Sequence, residues 1–158
     1  MFKWNDIDLI VYDFDGVMTN NSVVVSEDGF ESVIVNRSDG LAVGIIKSKN
    51  IPQLILSKEG NKVVSSRATK LGIPVLQGIH DKKTILLDYC SRNSLDLNKV
   101  IYVGNDLNDV PVMSAVGYPM APLDAYPEAK KIAKYIIPVA GGSGVVRELL
   151  NYFIFEEI

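Results

Sequence analysis

Two aspartates, Asp13 and Asp15 in the run Asp13-Phe14-Asp15-Gly16-Val17-Met18-Thr19, are the side chains best suited to do chemistry. They follow Ile7 to Tyr12, a short apolar run with the make-up of a buried parallel strand. Side chains repeat every second residue in extended chain, so the two carboxylates project in related directions. One carboxylate can attack phosphorus while its second oxygen holds Mg²⁺. The other can donate a proton to a leaving oxygen and later activate water. Gly16 lets the chain turn sharply and brings backbone N–H groups near a phosphate. Read by itself, the same segment is also an Asp-rich turn that ends a strand.

Three further groups suit the same chemistry. Ser57 ends the apolar run Leu54-Ile55-Leu56, where its hydroxyl can hydrogen-bond a phosphate oxygen or serve as a turn residue. Lys82 opens a helical stretch and can neutralise phosphate charge and steady Asp13 as a carboxylate; the alternative is a solvated surface lysine. Gly104-Asn105-Asp106-Leu107-Asn108-Asp109 sets oxygen-bearing side chains just after the strand-like Val100 to Val103. Such a loop suits a hard cation, or it caps a helix.

The elements that must carry these residues alternate along the chain. Strand-like runs at Ile7 to Tyr12, Pro52 to Leu56, Pro74 to Leu76, Val100 to Val103, Gly117 to Met120 and Tyr135 to Ile137 are separated by amphipathic helical stretches. Those stretches are Asp39 to Lys49, Asn61 to Leu71 with Val63, Val64 and Ala68 facing inward, Asp81 to Arg92, a short one after Asp106, and Pro127 to Ala133. A last helix follows Gly141-Gly142-Ser143-Gly144 and ends in Tyr152, Phe153 and Phe155. Ser22 to Ser26 and Glu31 to Val35 flank Glu27-Asp28-Gly29 as a hairpin. This alternation predicts an α/β fold, doubly wound on a mostly parallel sheet with a Rossmann-like core. Ligand sites in such sheets lie at the carboxyl ends of the strands, where Asp13, Ser57 and Asn105 stand.

Bulk properties narrow the function classes. The 158 residues predict one domain, 1–158, with a proper core. A hydrophobic content of 47% with 22% charged residues argues against disorder. A net charge of −3 gives no reason to expect nucleic acid as a partner. No apolar run is long enough to span a membrane and no signal-peptide layout is visible, so a cytoplasmic location is expected. The single cysteine, Cys90, lies on an apolar helix face and reads as a buried thiol.

The order of aspartate pair, serine, lysine and acidic loop resembles the haloacid dehalogenase-like phosphohydrolases, over nearly the whole chain. Within them it looks like the capless phosphatases of 3-deoxy-manno-octulosonate 8-phosphate or of nine-carbon ulosonate 9-phosphates. It is similar as well to the phosphatase-like domain fused to acylneuraminate cytidylyltransferases. The matching segments are Asp13 to Thr19, Asn36 to Gly40, Ser57 through Leu71, Gly78 to Lys82, Gly104 to Asp109, Asp124-Ala125 and Gly141 through Glu148. The resemblance implies a Mg²⁺-dependent phosphomonoesterase with Asp13 as nucleophile and Asp15 as acid/base and backbone-carbonyl metal ligand. Ser57 and Lys82 would bind phosphate, and Asn105 or Asp106 would complete the metal site. Those phosphatases usually carry aspartate where this chain has Asn105, which supplies an amide oxygen but no charge. Asparagine there is found in the cytidylyltransferase-fused domain, so the rival reading is a catalytically weak or inactive oligomerisation module.

The chain between Asp15 and Ser57 holds a hairpin and one helix, which leaves no room for a cap domain. The resemblance therefore implies a homotetramer in which a neighbour closes the cleft, with Gly141 to Arg147 near that neighbour's site. Dehalogenases and mutases of the superfamily normally carry a cap, which speaks against them here. Glu59, Arg67 and Lys70 follow the motif serine as in the nine-carbon branch. They are the expected contacts to the sugar hydroxyls and carboxylate, with a sialate-type 9-phosphate preferred over the octulosonate 8-phosphate.

Overall fold

The computed structural model describes residues 1–153. Six strands form a parallel sheet in the order β5-β4-β1-β6-β7-β8. They are β1 (Leu9–Tyr12), β4 (Gln53–Leu56), β5 (Val75–Leu76), β6 (Val100–Val103), β7 (Tyr118–Pro122) and β8 (Tyr135–Ile137). Every residue of β1, β4 and β6 is buried, which is why these strands read as unbroken apolar runs rather than as alternation.

The two faces of the sheet are nonetheless distinct. Ile10, Tyr12, Ile55, Ile101 and Val103 pack toward α1 (Arg37–Ser48), α2 (Lys62–Leu71) and α6 (Val145–Leu149). Leu9, Val11, Leu54, Leu56 and Tyr102 pack toward α3 (Lys82–Arg92), α4 (Val110–Met113) and α5 (Pro127–Ile132). The helix starts follow local chemistry. Asn36, Asn61 and Asp81 each accept a backbone N–H of the first turn of α1, α2 and α3. Gly72 ends α2 as the sequence predicts. Val64 and Ala68 of α2 are buried, whereas Val63 is only half-buried.

The hairpin is shorter than expected. Only β2 (Val24–Val25) and β3 (Glu31–Ser32) pair, antiparallel, with an isolated bridge between Thr19 and Val35 at the base. The last helix is also shorter. It stops at Leu149 and passes into a 3-10 turn, Leu150–Tyr152, while Phe155 lies outside the described residues. Cys90 is buried against the second face, and burial together with Asp8 pushes its thiol pKa up.

From β1 the chain goes outward to β4 and β5, then returns to β6 on the other side of β1. The crevice between the carboxyl ends of β1 and β6 is therefore a topological switch point. Asp13 follows β1 there and Asn105 follows β6 by two residues.

Candidate active site

Asp13 is 5% exposed and divides its carboxylate. Oδ1 accepts the Phe14 N–H at 2.7 Å and pairs with Lys82 Nζ at 2.8 Å. Oδ2 takes neither of these bonds, and Asp13 lines a cleft of about 520 Å³. Lys82 is 2% exposed and reaches this point because it is the first residue of α3. Its ammonium also meets Asp109 Oδ1 at 2.8 Å. Burial alone would lower the Lys82 pKa, but the attraction of Asp13 and Asp109 outweighs it and the net direction is upward. Burial first and then the Asp109 carboxylate push the Asp13 pKa well up, and Lys82 pulls it only part of the way back.

Asp109 ties the site together. Its Oδ1 also accepts the Tyr102 hydroxyl at 2.8 Å, and its Oδ2 accepts the N–H of Asn105 at 2.9 Å. The polar loop is thus a fold around one buried carboxylate. Tyr102 went unnoticed in the sequence because a tyrosine inside an apolar strand gives no sign of what its hydroxyl will meet.

Gly16 takes φ +81°, and a side chain there would run into the Asn105 amide. Glycine therefore lets the β1 and β6 loops touch. The Asn105 amide makes no hydrogen bond among the described residues, although Asn105 is only 5% exposed. Asp15 is half-buried, and Thr19 Oγ1 lies 3.5 Å from its Oδ1. Its pKa is raised by burial first and then by Glu59, while Thr19 and Lys82 pull the other way. Ser57 is buried, and its Oγ accepts the Glu59 N–H at 3.1 Å, which leaves the hydroxyl hydrogen to donate elsewhere.

A metal can be tested against these donors. Among the described residues no three His, Cys, Asp or Glu side chains form a self-sufficient metal cage. Mg²⁺ needs no such cage, since it is commonly held by one or two carboxylates with waters and substrate oxygens. The Asn105 amide oxygen, without a protein partner, fits that hard-oxygen set, with Asp13 and Asp15 beside it in the same cleft. Asp106 lines the cleft too, but its Oδ1 is taken by the Leu107 N–H at 2.7 Å.

Asp13, Asp15, Ser57, Glu59, Asn105 and Asp106 all line this one cleft. Lys82 does not line it and acts on it from behind Asp13. Arg67 and Lys70 are not brought to it. They border two other clefts, one against Arg37 and Lys47 of α1 and one beside the hairpin. The Arg67 guanidinium donates to the Asn36 carbonyl at 2.9 Å.

The glycine-rich stretch before α6 has work within its own chain. Gly142 donates to the Val17 carbonyl at 3.0 Å, and Gly141 donates to Asp124 Oδ1 at 2.8 Å. Gly142 has φ +73°, and a Cβ there would stand 2.6 Å from the Asn20 nitrogen. Asp39, 2% exposed, accepts the Arg147 N–H at 3.0 Å and so docks α1 onto α6. The Arg147 side chain is exposed.

Comparison with known proteins agrees with this geometry. Residues 44–149 match the family of haloacid dehalogenase-like hydrolases. The chain is 33% identical over 158 residues to the 3-deoxy-D-manno-octulosonate 8-phosphate phosphatase of Salmonella typhi, covering 99% of this chain and 84% of that one. A crystal structure of a Streptomyces avermitilis protein assigned to the HAD family hydrolases superposes with a TM-score of 0.94 at 40% identity, covering 97% of this chain and 88% of the other. The Moraxella catarrhalis 3-deoxy-D-manno-octulosonate 8-phosphate phosphatase, solved with a magnesium ion, a phosphate ion and a KDO molecule, superposes with a TM-score of 0.90 at 27% identity, covering 94% of this chain and 86% of the other. The chain belongs to the haloacid dehalogenase-like hydrolase family, as an enzyme of the phosphomonoesterase type.

Proposed function

We propose that the protein hydrolyses the phosphate monoester of an acidic ulosonic sugar through an aspartyl-phosphate on Asp13. The observation that carries this reading is the divided Asp13 carboxylate: one oxygen held by Lys82, the other outside that pair, on a residue that lines the cleft. Asp13 Oδ2 bonds to phosphorus as the bond from phosphorus to the sugar oxygen breaks, and Asp15 gives that oxygen a proton. Asp15 then takes a proton from water, which attacks the phosphorus of the aspartyl-phosphate and frees Asp13 and inorganic phosphate. Ser57 donates to a phosphate oxygen. Asp13, the backbone carbonyl of Asp15 and Asn105 would hold Mg²⁺, which would supply the charge that offsets the phosphate. Lys82 fixes the rotamer of Asp13 and pulls its proton affinity down toward the carboxylate, a pull to which a bound Mg²⁺ would add.

The substrate class follows the names of the relatives and the layout of the cleft. Its outer wall carries Glu31 and Glu59, a poor setting for a substrate carboxylate. That carboxylate needs cations from elsewhere. Arg67 and Lys70 can provide them only from a neighbouring protomer, since in their own chain they border other clefts. On Glu59 and this Arg/Lys pair we expect the nine-carbon 9-phosphate to be preferred over the eight-carbon 8-phosphate. A phosphate-release screen over both esters and unrelated sugar phosphates, with and without Mg²⁺, tests the reading. Release from the ulosonate esters that needs Mg²⁺ supports it, and faster turnover of the octulosonate ester reverses the preference while keeping the class. No release from any ester at saturating Mg²⁺ hands the case to a non-catalytic module, for which Asn105 is the motive.

A further inference from the structure

Asn61 does two things at the start of α2. Its Oδ1 accepts the Val63 N–H at 3.0 Å as the helix cap, and its Nδ2 donates to Glu31 Oε2 at 2.9 Å. That second bond fastens strand β3 of the hairpin to the body of the protein. The backbone here is steadied by the Gln77 amide, which donates to the Gly60 carbonyl at 2.9 Å and lies 3.5 Å from that of Asn61. Glu31 is half-buried, and its Oε1 takes no hydrogen bond among the described residues. Both Glu31 and Asn61 line the Asp13 cleft.

The surroundings of Glu31 define what it can meet. Val23, Val33 and Val63 give the wall an apolar lining, and the only cation among the lining residues is the exposed Lys58. A second anionic group on the substrate would face Glu31 and Glu59 with little to offset them. A hydroxylated carbon chain is complementary, since its C–H faces suit the valines and its hydroxyls donate to carboxylate oxygens.

We propose that Glu31, fastened by Asn61, is a specificity-determining residue that accepts hydrogen bonds from the hydroxylated chain next to the phosphate and disfavours a second anionic group there. The proposal rests on the phosphatase reading above. Steady-state kinetics on Glu31→Gln and Asn61→Asp test it with three esters: an ulosonic acid phosphate, a sugar bisphosphate and para-nitrophenyl phosphate. Gln keeps the shape and removes the charge. Asp keeps the helix cap and sets a carboxylate against Glu31, which opens the fastening.

A charge-assisted hydrogen bond predicts a loss of about ten- to a hundred-fold in kcat/KM on the ulosonate ester for both variants. That loss should exceed the loss on para-nitrophenyl phosphate, which has no hydroxyls, by about tenfold or more, and Glu31→Gln should gain on the bisphosphate relative to wild type. Equal losses on the ulosonate and nitrophenyl esters, or none, would overturn the role of Glu31. Wild-type protein that cleaves no sugar ester would instead count against the phosphatase reading. Calorimetric binding of the ulosonate ester, weaker to Glu31→Gln than to wild type, then still decides the role of Glu31.

Discussion

Asp13 commits Oδ1 to Lys82 and keeps Oδ2 for phosphorus, so a change of one atom separates structure from reactivity. Asp13→Asn preserves size, but an amide nitrogen cannot attack phosphorus and the metal loses a charged ligand. Mg²⁺-dependent phosphate release should vanish, as a colorimetric phosphate assay would show. Asp15→Asn leaves the nucleophile in place and removes the acid/base, which is expected to cost roughly a hundred- to ten-thousand-fold in kcat. The Asn105 side chain makes no hydrogen bond among the described residues and packs on Gly16, so Asn105→Asp adds charge without breaking a side-chain hydrogen bond. We expect tighter Mg²⁺ binding by calorimetry and higher activity at limiting Mg²⁺; unchanged affinity would place the third ligand elsewhere, with Asp106 next in line.

At the scale of elements, the loop that follows β1 is supported from behind by the glycine-rich stretch, and that stretch by α1. Asp39 is the joint, and burial raises its pKa against the pull of the Arg147 and Val146 N–H groups and of Arg67. A carboxyl whose pKa is higher folded than unfolded holds its proton longer in the native state. Its contribution to stability therefore falls as pH rises through the unfolded pKa toward the folded one. Asn at this position cannot ionise and can still accept the Arg147 N–H. The melting temperature of Asp39→Asn relative to wild type should thus rise between pH 4 and pH 7, and a flat difference would show that Asp39 is not the titrating joint. The left-handed φ and close approach of Gly142 make Gly142→Ala costly by at least about 1 kcal/mol. Because Gly142 touches the Asp13 loop, kcat should fall with it while KM changes little.

For the whole molecule, the N-terminus and the end of the described chain close on each other. The Trp4 and Phe153 rings stack at 4.2 Å, and Phe2 meets Tyr118, Tyr135 and Phe153 edge-on. Phe153→Ala should cost about 3–5 kcal/mol in urea unfolding and leave kcat unchanged in the folded protein, because this cluster is remote from the cleft residues. The hairpin tells the opposite story. Val24 is 67% exposed and Phe30 75% exposed, with Ile34 also open to solvent. We propose that this apolar surface is covered by other copies in a homotetramer, the arrangement that would also bring Arg67 and Lys70 to a neighbour's cleft. Light scattering that finds a fully active monomer would refute this. Among the described residues no helix is long and apolar enough to cross a membrane.

Much of this architecture was legible in the residue string. A strand buried on both faces is written as an apolar run, so β6 falls at the limits read from sequence, as does the partly exposed edge strand β8, and Asp13, Ser57 and Asn105 stand where strand ends must put them. Lys82 was legible as a candidate because it opens a helix, yet its distance from Asp13 depends on how α3 packs beneath the sheet. Local patterns carry no such distance. The same limit hid the hydroxyl of Tyr102 on Asp109, the hold of Asp39 on α6, and the placing of Gly141 and Gly142 under the β1 loop rather than free before a helix. These contacts join segments far apart in sequence, and only the packing of the layers decides which side chains meet. Arg67 and Lys70 show it most plainly: their spacing puts them side by side on α2, but the sheet's order turns that face toward α1 and away from Asp13.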